Sequence, residues 1–94
     1  MSEKIILYGH RRCPMVAPVE AVLQYSRADY QYIDIDLSSS GRLQVLEINQ
    51  GNASVPTLVF PDGSSLTEPS RSTLKAKLRE LGFLPDVQVA AIDE

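Results

Sequence analysis

Ninety-four residues with 44% hydrophobic and 22% charged side chains suffice for one small soluble domain and leave no room for a second. A net charge of −3 argues against a nucleic-acid binder, which ordinarily presents a basic surface, and no apolar run approaches the ~20 residues of a membrane span. The single cysteine excludes an internal disulfide, and with a single histidine it cannot complete a zinc site of three or four ligands. The apolar run behind Met1-Ser2-Glu3-Lys4 is too short for a secretory leader, so the expected setting is the cytoplasm and the expected state a monomer.

In chain order, Ile5-Ile6-Leu7-Tyr8 is a short unbroken apolar run of the kind a buried strand shows. His10-Arg11-Arg12-Cys13-Pro14 interrupts it. A helix is expected next, with Val19, Val22 and Leu23 on its inner face and its end near Ala28. Tyr30 to Leu37 alternates in its second half, which predicts a strand with one wetter face. Ser38-Ser39-Ser40-Gly41 reads as a loop supplying the cap of a second helix, which turns Leu43, Leu46 and Ile48 inward and stops at Gly51. Thr57 to Phe60 is a buried strand, Pro61-Asp62-Gly63 a tight turn and Ser64-Ser65-Leu66 the returning strand. Leu74, Leu78 and Leu81, at i, i+4 and i+7, mark a third helix closed by Gly82, with Pro69 near its start. The order β-α-β-α-β-β-α, with a right-handed crossover first and a hairpin last, predicts an α/β fold with a four-stranded mixed sheet and three helices. Residues 4–82 make up this domain, and 83–94 carry Val87, Val89, Ala91 and Ile92 without an assignable partner.

Three places can carry chemistry. Cys13 stands between the first strand and the first helix, with Pro14 at a plausible first helical position. A helix start and the charges of Arg11 and Arg12 favour a thiolate. A lone cysteine is otherwise an ordinary buried apolar residue, and the arginines an ordinary solvated loop. Val55-Pro56-Thr57 puts a proline at the entry of a buried strand; the residues alone fit a trans proline at the first strand position, or a cis bond that frees the preceding backbone. Leu66-Thr67-Glu68-Pro69-Ser70 hands a strand to a helix, with Thr67 or Glu68 as the expected cap; the free N–H groups there can also hold a carboxylate. Pro18 conflicts with a helix capped by Cys13, where it would fall on the fifth helical residue; the helix then kinks, or starts at Pro18 and leaves Cys13 in a loop.

Taken together, a Cys-Pro dipeptide after the first strand, a later Val-Pro-Thr and a hairpin before the last helix resemble the glutaredoxins. The stretch from Val55 to Ser70 is most similar to the subgroup called mycoredoxins, and the N-terminal domain of glutathione transferases shares the fold. The resemblance spans residues 4–82 and implies a thioredoxin-like fold. It implies that Cys13 attacks mixed disulfides between proteins and a small thiol, glutathione or a mycothiol-like compound, serving as co-substrate with no tightly bound cofactor and no metal. It implies that Pro56 is a cis-proline facing Cys13, and that the backbone of Val55 pairs with the bound thiol like an added strand. It implies that Thr67, Glu68 and Ser70 hold the γ-glutamyl end, that Arg11 or Arg12 meets the other carboxylate, and that Pro14 and Met15 border the groove. The chain departs from the pattern at Val16, where dithiol members have a second cysteine, leaving a one-sulfur mechanism. Cys13-Pro14-Met15-Val16 also lacks the Gly and Phe-Ser that follow the cysteine in cluster-carrying relatives, and Arg12 stands where an aromatic residue often precedes it. The competing expectations are a binding module without turnover and an iron–sulfur carrier.

Overall fold

Successive side chains of a strand point to opposite faces, and in the first strand that alternation serves two cores. The computed structural model describes residues 4–83. Its elements are β1 (Ile5–Gly9), α1 (Val16–Tyr25), β2 (Tyr30–Asp34), α2 (Ser39–Ile48), β3 (Thr57–Val59), β4 (Ser65–Thr67) and α3 (Arg71–Glu80). The strands lie in the order β2-β1-β3-β4, with β1 and β2 parallel and the other two pairs antiparallel. This is the thioredoxin-like architecture expected from the sequence. Ile5 and Leu7 join Leu58 and Phe60 under Val19, Val22 and Leu23 of α1 and Leu74 and Leu78 of α3. On the other face Tyr8 packs with Ile35, Val45 of α2 and Val55, with Ile6, Cys13, Ile33 and Val59 at its margin. No helix among the described residues is long and apolar enough to cross a membrane.

The element boundaries depart from expectation where polar side chains intervene. β2 stops at Asp34 rather than Leu37. The Asp34 carboxylate accepts the Asp36 N–H at 2.8 Å, and its carbonyl accepts those of Leu37 and Ser38 at 3.0 and 2.9 Å, turning the chain out of the sheet. In α2, capped by Ser38 on the Gly41 N–H at 3.0 Å, Gly41 belongs to the helix and not to the loop. A β-carbon on Gly41 would stand 2.7 Å from Ile33 Cγ2, so the helix meets the sheet along Gly41 and Val45. That rotation leaves Leu43 65% exposed, against the inward placement expected, and leaves Leu46 and Ile48 half-buried.

The cap of α3 is Ser70, which accepts the Thr73 N–H at 3.1 Å, and not Thr67 or Glu68. Gly82, at φ +89°, closes that helix: its own N–H reaches the Arg79 carbonyl, and the Phe83 N–H reaches that of Leu78 at 2.8 Å. Phe83 thereby packs against the first core, while the rest of the expected tail, 84–94, lies outside the described residues. α1 starts at Val16, neither at Pro14 nor at Pro18, with Met15 as a cap residue that makes no side-chain bond. Pro18 is therefore the third helical residue, among the N–H positions that have no intrahelical acceptor.

Candidate functional site

The ladder register brings three separate chain segments to one end of the sheet. Tyr8 pairs with Thr57 and Thr57 with Thr67, so the chain leaving β1, the chain entering β3 and the chain leaving β4 emerge side by side. The segment after β1 makes a turn in which the Cys13 N–H donates to the His10 carbonyl at 3.2 Å and the Val16 N–H to the Cys13 carbonyl at 3.3 Å. Gly9 permits this turn to fold back, since a β-carbon there would lie 2.8 Å from Val16 Cγ2. Cys13, partly buried, donates from Sγ to the Val55 carbonyl at 3.8 Å.

The Val55–Pro56 bond is cis. The Pro56 carbonyl accepts the Glu68 N–H at 2.7 Å, and Glu68 takes φ +50° at that corner. Cys13, Val55, Pro56 and the 67–70 corner are thus neighbours at this end of the sheet, with Val55 and Pro56 buried between the partly buried Cys13 and the exposed Thr67 and Glu68. The Val55 N–H bonds to no described residue, which leaves an unpaired peptide group beside the sulfur. At the start of α3 the Ser70 side chain takes up the Thr73 N–H, leaving those of Arg71 and Ser72 without an intrahelical acceptor.

The two arginines are engaged elsewhere. Arg12 forks onto Asp36 with contacts of 3.0 to 3.2 Å, and its guanidinium, mainly through these hydrogen bonds, holds that carboxyl below its ordinary range. Arg11 lies 4.2 Å over the Tyr32 ring and 3.8 Å from the Glu20 carboxylate. Burial is the main cause that pushes the Tyr32 phenol above its ordinary pKa, with Arg11 opposing it. Cys13 lies ahead of the helix and not at its cap, so the helix-start argument for a thiolate applies less directly than the sequence suggested. Pro14 and Met15 are exposed alongside, Met15 at 47%.

Sequence reasoning passed over two residues. Asp36, the partner of Arg12, was taken as part of a strand. Asn49, taken only as the approach to a helix stop, donates from Nδ2 to Thr57 Oγ1 at 3.1 Å and accepts the Thr67 hydroxyl on Oδ1 at 2.7 Å. Thr57, fully buried, gives its proton to the Ser54 carbonyl at 2.8 Å. The only signal for Asn49 in the sequence is an amide residue at the end of an otherwise apolar helix face.

The family model for the glutathione S-transferase N-terminal domain matches residues 7–72. A Mycobacterium tuberculosis protein named "Putative glutaredoxin" is 35% identical over 78 residues, which cover 83% of this chain and 93% of that protein. Among solved structures, the glutaredoxin grx-1 from Archaeoglobus fulgidus superposes with a TM-score of 0.67 at 24% identity, covering 84% of this chain and 88% of that one. A Sulfitobacter glutathione transferase homologue, solved with bound glutathione, also reaches 0.67, at 19% identity, over 98% of this chain and 42% of its own. The two structural likenesses show a common fold.

Proposed function

The chain belongs to the glutaredoxin family, and on that premise we propose that it reduces mixed disulfides between proteins and a small thiol through Cys13 alone. The observation that supports this reading is the partly buried Sγ placed against the Val55 carbonyl, next to cis Pro56 and an unpaired peptide edge. In the first step the Cys13 thiolate attacks the small-thiol sulfur of the mixed disulfide. A bond forms between Cys13 and that sulfur, the old disulfide bond breaks, and the protein thiolate leaves and takes up a proton. In the second step another small thiol, as its thiolate, attacks the outer sulfur of the adduct, releasing the small-thiol disulfide and restoring Cys13. Val16 supplies no second sulfur, so each turnover passes through that adduct.

The small thiol is glutathione or a mycothiol-like compound, and the bound glutathione of the Sulfitobacter homologue favours the first. Its backbone would lie along Val55, and its far end at Thr67, Glu68 and Ser70, where the free N–H groups of α3 attract a carboxylate. Arg11 and Arg12 would reach a second carboxylate, or steady the thiolate, only by sharing the charge they now give to Glu20 and Asp36. The partners are then thiol-capped proteins, met by a monomer.

Oxidised glutathione is expected to add one glutathione mass to the native chain, and Cys13→Ser to lose both the adduct and the reduction of a mixed-disulfide substrate. Val16→Cys is expected to lower the adduct yield by diverting it to an internal disulfide. Absence of any adduct and of turnover across a range of thiols would leave the binding-module reading, and a brown, dimeric preparation the cluster-carrier reading.

A further inference from the structure

The hydrogen bonds around Asn49 have a direction that can be deduced atom by atom. The Thr57 hydroxyl has one proton and spends it on the Ser54 carbonyl at 2.8 Å, so toward Asn49 it can only accept. The Asn49 atom facing it is therefore the amide nitrogen. The amide oxygen then faces Thr67, whose hydroxyl must donate to it at 2.7 Å. Both threonine protons are spent, so the 3.4 Å between the two hydroxyl oxygens carries no hydrogen bond. Thr67, exposed at the end of β4, is left presenting lone pairs only. One residue on, the exposed Glu68 carboxylate makes no hydrogen bond or ion pair with any described residue, while its backbone is fixed on the Pro56 carbonyl. The corner is thus a seat of acceptors with no side-chain donor until Ser70.

We propose that Asn49 is a specificity-determining positioning residue: by taking the Thr67 proton it makes this corner select a small thiol that presents a protonated amine there. The inference rests on the Cys13 surface being the thiol site. Asn49 does not touch the thiol, and it acts by denying Thr67 the choice of donating. A free threonine hydroxyl rotates to suit either partner, whereas a committed one favours donors.

The test compares S-methylglutathione with its analogue in which hydrogen replaces the α-amino group, by calorimetry on the native protein, Asn49→Ala and Asn49→Asp. Melting temperatures are recorded in parallel, together with reductase KM and kcat for the corresponding free thiols. The native protein is expected to bind the amine-bearing compound more tightly. Asn49→Ala is expected to reduce that preference about fivefold, part of a charge-assisted hydrogen bond, because the freed Thr67 hydroxyl can still turn to accept, and to do so through KM and not kcat. Asn49→Asp still accepts from Thr67 and is expected to keep the preference, although both variants lose the bond to Thr57 and melt lower. An unchanged preference in Asn49→Ala would overturn the inference, as would equal losses in both variants tracking their melting temperatures, or no binding of either compound. An amine preference in a native protein that turns over neither thiol would sink the catalytic reading and leave this one standing.

Discussion

Pro18 is harmless because of a shift of two residues. At the third helical position its missing N–H is one that no helix could have satisfied, whereas deeper in the helix it would remove a bond at a cost of about 3 kcal/mol. Pro18→Ala should therefore change unfolding free energy by no more than about 0.5 kcal/mol in denaturant titration, the range of ordinary surface changes. A gain near the full helix-breaking cost would mean that the helix is strained there. Asp62 behaves differently. Its carboxylate accepts from the Ser64 hydroxyl and N–H at 2.6 and 3.0 Å and from Lys77 Nζ at 3.1 Å, which lowers its pKa to about 2. Because the folded value lies below that of the unfolded chain, the stabilisation is present above roughly pH 4 and disappears as pH falls toward 2. The melting-temperature gap between native protein and Asp62→Asn should be constant from pH 7 to about 4 and close below it. At this scale the candidate sulfur could be singled out from the sequence because only one cysteine exists. Asn49 was not, since nothing in a linear sequence shows that a helix-end amide will meet two threonines from different strands.

Among the elements, α3 was the most legible because Leu74, Leu78 and Gly82 act locally, through helical spacing and a positive-φ close, although its cap falls on Ser70 and not on Thr67 or Glu68. α2 was misread for a reason that lies outside its own segment. Leu43 has the hydrophobicity to face inward, but the close approach to Ile33 is available only along Gly41, and that approach sets the rotation of the helix. Gly41→Ala tests this directly. Alanine favours the helix by about 1 kcal/mol, yet its methyl would press on the Ile33 branch and the Ser38 hydroxyl, an overpacking cost of ~1–3 kcal/mol. A net loss of about 1 kcal/mol in chemical denaturation is expected, while Leu43→Gln should be near neutral. Stabilisation by Gly41→Ala would show that Ile33 yields freely and that the rotation has another origin. The cis bond before Pro56 is an intermediate case: the residues by themselves fitted a trans proline at a strand start, and only the resemblance of the whole 55–70 stretch pointed the other way.

For the whole molecule, the sheet topology was readable from the element order, because a parallel first pair and a terminal hairpin leave few alternatives. The convergence of Cys13, Val55 and Glu68 was readable only in outline, since it depends on a register that pairs Tyr8, Thr57 and Thr67 across three strands. The Cys13–Val55 contact joins residues 42 apart in the chain, and the sulfur rests against the second core. Since the chain contains no other thiol, alkylation of Cys13 reports on that end of the sheet alone. Because the sulfur is only partly buried, a small alkylating agent should label the folded protein directly, at a rate that low denaturant leaves unchanged. Thr57→Val, which cuts the tie from β3 to Ser54 and Asn49, should change that rate well before it lowers the denaturation midpoint in proportion. A labelling rate that follows global unfolding alone would instead mean that the sulfur is closed off in the folded protein and out of reach of a small thiol.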